Sequence, residues 1–217
     1  AWNVKGNYDK AIEYYEKALN SDLKNYGEDH PNVATYRNNL GATWKAKGEY
    51  DKAIEYYEMA LNSDLKNFGE NHPKVATRWN NLGEAWRAKG KYDKAIEYYE
   101  KALKSDLNNF GDDHPNIAAH RNNLGVAWSA KGEHDKAIEY IEKALESDIK
   151  TFGEKHSNVA TYRNNLGTAL NAKGEYDKAI EHLEKALSVI QVRLGSDHPD
   201  TKTLKTNLRL AKEVKPK

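Results

Sequence analysis

Leu40-Gly41-Ala42-Thr43-Trp44-Lys45-Ala46-Lys47-Gly48-Glu49-Tyr50-Asp51-Lys52-Ala53-Ile54 is the stretch whose reading decides the fold. Leu40 and Trp44 continue a helical spacing that begins at Val33 and Tyr36, and Gly41 and Ala46 are small enough to let a neighbouring helix come close. Gly48 permits the left-handed backbone of a tight turn. Tyr50 and Asp51 then open a second run, in which Ala53, Ile54, Tyr57, Ala60, Leu61, Leu65 and Phe68 share one face. That run stops at Gly69, a residue suited to a C-terminal αL cap, and Pro73 takes the first position of the next helix. Two helices joined by a tight turn therefore make one unit.

The unit recurs. Gly6, Gly48, Gly90, Gly132 and Gly174 are 42 residues apart, as are Leu40, Leu82, Leu124, Leu166 and Leu208. Pro31, Pro73, Pro115 and Pro199 keep the same step, with Ser157 as the break, and His30, His72, His114, His156 and His198 precede them. This predicts second (B) helices near 8–26, 50–68, 92–110, 134–152 and 176–194, and first (A) helices near 32–47, 74–89, 116–131, 158–173 and 200–213, with a remnant of an A helix at 1–5. All 217 residues read as one array. Lys212, Arg209 and Lys205 replace the tryptophan, glycine and arginine positions in the last A helix, giving the polar outer face of a natural cap. The missing initiator Met and the lone remnant suggest a cut N-terminus, with Ile12 and Tyr15 partly unprotected.

Leu40, Gly41, Trp44, Gly48, Tyr50, Ala53, Tyr57 and Ala60 match the tetratricopeptide repeat signature in type, order and spacing. The longer unit, with Asn-Asn-Leu-Gly in helix A and Gly-Glu-Asp-His-Pro in the linker, resembles the kinesin light chain class of these repeats. The signature proline that ends helix B is replaced by Leu23, Leu65, Leu107 and Ile149, which lets helix B run longer. The resemblance implies an all-α, right-handed α-solenoid of stacked antiparallel helix pairs, acting as a scaffold that holds a protein or peptide ligand.

Composition limits the alternatives. Lys and Arg total 34 against 33 for Asp and Glu, and the interspersed signs argue against nucleic acid or anionic membranes as partners. No apolar run approaches the ~20 residues of a membrane helix, and the absence of cysteine is compatible with a cytoplasmic setting. No cofactor motif, metal-binding pair or nucleophile-base arrangement is present, so an enzyme is not expected. The recurring histidines fall in loops one repeat apart and read as helix-capping or loop-packing residues, and Trp44, Trp86 and Trp128 read as core.

The paired asparagines stand out, because asparagine has poor propensity in a helix interior. The resemblance places Asn39, Asn81, Asn123, Asn165 and Asn207 in the groove lined by the A helices, with Asn38, Asn80, Asn122 and Asn164 as weaker candidates. A carboxamide both donates and accepts, so such a ladder can bond the main chain of an extended peptide. Hydrogen bonding among the asparagines themselves is the alternative. Further groove candidates are Lys45 and Arg87, set to take acidic side chains, with Glu84 between them to reject a purely anionic ligand. Arg37, Arg121 and Arg163 stand where the resembled class has an apolar residue, and are expected to stack on tyrosines or reach the groove. Thr35, Thr77, Ala119 and Thr161 occupy places where a carboxylate clamp would need basic residues, so that family mode is not implied. A monomer is expected, with head-to-tail stacking of copies as the competing reading.

Overall fold

The computed structural model describes residues 7–112 and 114–216; the predicted A-helix remnant at 1–5, with Trp2, lies outside them. Among the described residues there are ten α-helices and no strands: α1 (Tyr8–Tyr26), α2 (Pro31–Lys47), α3 (Tyr50–Phe68), α4 (Pro73–Ala88), α5 (Tyr92–Phe110), α6 (Pro115–Lys131), α7 (His134–Phe152), α8 (Ser157–Lys173), α9 (Tyr176–Leu194) and α10 (Pro199–Val214). The even-numbered helices are the A helices. Their contacts divide the chain into two compact units, Ala1–Gly111 and Asp112–Lys217.

Each A helix begins one residue earlier than the apolar spacing alone suggests, because proline, or Ser157, takes the first helical position behind a histidine N-cap. In all five, the histidine Nδ1 accepts the N–H two residues on, at 3.2 Å for Asn32, Lys74, Asn116 and Asp200 and 3.3 Å for Asn158. The histidines thus satisfy an orphan donor of the helix start. Three rings also stack on the aromatic residue that closes the preceding B helix, with Phe68 and His72 centroids 4.5 Å apart.

The two turn types use glycine differently. Gly48 lies at φ 89, ψ 1, the left-handed conformation expected of it. Gly69 departs from its expected αL geometry, with φ 78 and ψ 168. That region is essentially closed to other residues, and it turns the chain out of helix B directly toward the histidine cap.

In unit 1, α2 packs on α3 and α4 on α5 as helical hairpins, with α1 laid on α2. In unit 2, α6 pairs with α7 and α8 with α9, and α10 covers α9. The helices of a pair meet at a glycine. A Cβ on Gly41 would lie 2.7 Å from the Tyr57 ring, one on Gly83 2.6 Å from the Tyr99 ring, and one on Gly167 2.7 Å from Leu183. A Cβ on Gly125 would overlap Ile141 and sit 2.9 Å from the Ala137 carbonyl oxygen. Tyr57, Tyr99, Ile141 and Leu183 are wholly buried, and the leucine of the A helix, Leu40, Leu82, Leu124 or Leu166, is buried beside them.

Ile12 is 6% exposed and only Tyr15 is half-buried, so α1 is better protected than its position at the start of the array suggests. Val33 and Leu40 of α2 join Ile12 and Leu19 in one apolar cluster, with Trp44 of α2 and Tyr56 of α3 packed against it. At the other end, Leu204 and Ala211 of α10 close the cluster of Leu183 and Ile190, whereas Lys205, Arg209 and Lys212 are exposed.

Gly125→Ala gains up to ~1 kcal/mol of helix propensity but overpacks the α6–α7 contact, so a net loss of about 1–3 kcal/mol is expected in urea titration. Leu82→Ala is expected to cost ~2–5 kcal/mol, against less than about 0.5 kcal/mol for Lys104→Ala on the exposed face of α5.

Candidate functional site

The asparagine pairs sit in mid-A-helix and are largely half-buried. Asn81 Nδ2 donates to Asn38 Oδ1 at 2.7 Å, from α4 to α2. In unit 2, Asn165 donates to Asn122 at 2.9 Å, from α8 to α6, and Asn207 donates to Asn164 at 2.9 Å, from α10 to α8. In these three cases the asparagine before the A-helix leucine reaches back to the first asparagine of the preceding repeat. The weaker candidates Asn38, Asn122 and Asn164 turn out to be the acceptors of this ladder, with Asn122 only 7% exposed. Asn80 donates to Glu84 at 3.4 Å, and Asn123 is also engaged. Asn39 has no hydrogen-bond partner for its carboxamide among the described residues.

The ladder leaves capacity. A carboxamide carries two donor hydrogens and an acceptor oxygen. Asn81, Asn165 and Asn207 each spend one hydrogen on the ladder. A cavity of about 280 Å³ between α8 and α10 has Asn164, Thr161, Thr203 and Asp200 in its wall, with Leu204 and Ile190 as its apolar part. Main-chain amides can be met by the polar part and an aliphatic side chain by the rest.

The charged candidates are arranged differently from expectation. Lys45 does not stand free for a ligand: its ammonium donates to Glu84 Oε2, from α2 to α4. Glu84 also receives Asn80, so it closes a small polar network instead of standing alone as a repulsive charge. Arg87 forms no ion pair among the described residues and lies where its charge acts on the buried Tyr99 hydroxyl. Burial is the main reason that the Tyr99 hydroxyl is held above its ordinary pKa.

The arginines at the departing position neither stack on tyrosines nor reach the asparagine face. Arg121 pairs with Asp112 and Arg163 with Glu154, each nine residues back in the linker, and Arg37 donates to the Glu28 carbonyl at 3.4 Å. They clamp the linker onto the A helix. Trp79, at the same position of α4, is buried in the unit 1 core.

Sequence reasoning passed over a second polar series on the B helices, Ser-Asp at Ser63-Asp64, Ser105-Asp106 and Ser147-Asp148. Asp64 is 1% exposed and accepts from Arg78 Nε at 2.8 Å. Fourteen residues beyond Asp148 stands Tyr162 in place of arginine, and neither Asp148 oxygen has a hydrogen-bond partner. Burial raises the Asp148 pKa from its ordinary 3.8, opposed by Asn158 and His156. The Tyr162 hydroxyl is pushed up in turn, first by burial and then by the Asp148 charge. An aspartate every 42 residues, at Asp64, Asp106 and Asp148, with Arg78, His120 and Tyr162 in turn fourteen residues beyond, was the available signal.

Trp44, Trp86 and Trp128 are half-buried against the cores, and Lys52, Lys94 and Lys136 cover their outer faces with the ammonium 4.2, 4.0 and 4.2 Å from the ring centroid. They are packing residues with a charged cover. Among the described residues no three acidic, histidine or cysteine side chains converge to hold a metal ion, and no helix is long and apolar enough to cross a membrane.

A model of the tetratricopeptide repeat family matches residues 3–66, 45–108, 75–150, 128–189 and 158–208. Among solved structures, a Podosopora anserina protein described as a kinesin light chain with nearly identical TPR-like repeats aligns with a TM-score of 0.75 and 23% identity, over 89% of this chain and 92% of that one. BtubC (BKLC) from P. vanneervenii aligns with a TM-score of 0.74 and 24% identity, over 96% and 81%. MamA aligns with a TM-score of 0.59 and 25% identity, over 88% and 94%. At these identities the first two establish likeness of fold. No curated protein matches the sequence.

A folded aspartate with a raised pKa holds its proton more tightly than the unfolded one, so its contribution to stability is full below pH 3.8 and is lost as pH rises through the folded pKa. Asp148→Asn removes that loss. The variant is expected to match wild type in acid and to become the more stable chain as pH rises toward 7, read from urea midpoints across that range.

Proposed function

The chain belongs to the tetratricopeptide repeat family, and from that premise we propose that it is a non-catalytic scaffold whose A helices hold an extended peptide segment of a protein partner. The family's fold is typically a scaffold for protein–protein interaction. The observation that carries the peptide reading is the half-committed asparagine ladder. Asn81 and Asn207 are held in place by one hydrogen bond each and keep a second N–H and a carbonyl oxygen for a ligand, while Asn165, whose oxygen also accepts from Asn164 at 3.5 Å, keeps a second N–H and one acceptor lone pair. A ladder repeating along successive A helices suits a main chain, whose donors and acceptors also repeat, and makes little demand on ligand side chains.

Side-chain selection falls to what varies. Arg87 is the unpaired cation beside the ladder, since Lys45 is neutralised by Glu84, so the ligand is expected to carry an acidic residue at one point and not along its length. The working species is a cytoplasmic monomer, consistent with the charged outer face of α10 at Lys205, Arg209 and Lys212. Light scattering that shows mass growing with concentration would favour head-to-tail stacking instead.

Two double variants separate ligand binding from scaffold support on a peptide array. Asn81→Ala with Asn123→Ala removes the residues facing the ligand, whereas Asn38→Ala with Asn122→Ala breaks the same ladder but leaves them in place. Losing two ligand hydrogen bonds at ~1 kcal/mol each is expected to weaken array binding by roughly tenfold or more in the first variant only. Equal binding by intact chain and first variant would remove the asparagines from the mechanism, and equal losses in both variants would reduce them to scaffold.

A further inference from the structure

A cleft between the linker and the B helix recurs in unit 2, and its two copies differ where a repeat should not. In the first, Arg121 and its partner Asp112 face Lys143, Glu146, Ser147 and Lys150 across a cavity of about 300 Å³. In the second, 42 residues on, Arg163 and Glu154 face Lys185, Ser188, Val189 and Val192 across about 470 Å³. The arginine–carboxylate clamp and one lysine are kept. Serine stands in place of Glu146, and valines stand in place of Ser147 and Lys150.

Core packing accounts for Val189, which rests partly buried against the cluster of Leu183 and Leu204, but not for Val192, which is 87% exposed. The outer rim gains two cations, Lys155 and Arg193, neither of which forms an ion pair among the described residues. At the base, Arg163 is only 7% exposed; its Nη2 donates to Glu154, yet its Nε is buried with no hydrogen-bond partner. A buried guanidinium donor left unmet is costly, and a carboxylate is the group that best meets it. Lys185 is shared with Glu181 at 2.5 Å, so Glu154 in the wall and Glu181 outside it answer Arg163 and Lys185 and leave Lys155 and Arg193 uncompensated.

We propose that this cleft between the start of α8 and the end of α9 binds a peptide segment in which an acidic residue neighbours an aliphatic one. The carboxylate is taken by Arg163 with Lys155 or Arg193, and the aliphatic side chain covers Val189 and Val192. The loss of the Glu146 charge removes the repulsion that closes the preceding cleft to the same ligand. Arg163 and Asn165 are two positions apart on α8, about 200° around the helix axis, so this site is separate from the asparagine face.

The test is calorimetric titration of the full chain with a capped Leu-Asp-Leu-Asp peptide, its Leu-Asn-Leu-Asn counterpart, and inorganic phosphate. Saturable binding of the acidic peptide is expected, with the amide counterpart about tenfold weaker or worse. Ser188→Glu with Val192→Lys rebuilds the charge pattern of the preceding cleft on two exposed positions, and is expected to lower affinity about tenfold or more with an unchanged unfolding curve. The Asn81→Ala, Asn123→Ala chain is expected to bind undiminished. Absence of saturable binding, equal affinity of the rebuilt variant, phosphate binding as tightly as the peptide, or loss of binding in the asparagine variant would each overturn the assignment.

Discussion

Four helix-A glycines, Gly41, Gly83, Gly125 and Gly167, leave a gap that one large side chain of the following helix fills, and the A–B packing is built around that contact. The filler changes from tyrosine at Tyr57 and Tyr99 to Ile141 and Leu183, but its burial does not. The missing Cβ is what matters, since at Gly125 and Gly167 a backbone carbonyl of the facing helix also lies within about 3 Å of the place it would occupy, at 2.9 and 3.1 Å. Helices that approach so closely cannot slide or rotate much without clashing. The rest of the A helix is thereby oriented: leucine inward, arginine toward the linker, asparagine toward the next A helix.

Between repeats, polar contacts supplement the apolar ones. Lys47 with Asp9 and Lys89 with Asp51 in unit 1, and Lys173 with Asp135 and Lys215 with Asp177 in unit 2, tie the end of an A helix to the first turn of the B helix before it. Being exposed at the aspartate, these pairs contribute little each. The buried polar positions matter more. Asp64 meets Arg78, whereas Asp148 faces Tyr162 without a hydrogen-bond partner, so repeats of nearly the same sequence differ in local stability. Asparagine bonds from one A helix to the next add a directional element that apolar contacts lack.

For a repeat protein, recurrence reports scaffold and departure from it reports use. The asparagines recur and prove to be partly structural, which lowers their value as a pure ligand signature without cancelling it, since a primary amide has more than one bond to give. Arg163 recurs as well, but the wall opposite it does not. A site assembled from a recurring cation and non-recurring apolar neighbours is the kind that periodic reasoning discards when it looks at one position at a time.

The helix order, the pairing of A with B and the packing role of Leu40, Gly41 and Trp44 were legible in the amino-acid sequence, because each follows from a local rule or from a 42-residue repetition, whereas the choice between capping and loop packing for the histidines was not. Backbone conformation beyond a turn was not: Gly69 was read as an αL cap and adopts ψ 168, set by where the next helix must start. Nor were the partners of long polar side chains. Lys45 finds Glu84 39 positions away, and Asn165 finds Asn122 43 positions away. Such pairings depend on how far one A helix is displaced along its neighbour, a distance settled by side chains meeting across the glycine contacts and invisible to any rule confined to a single helix.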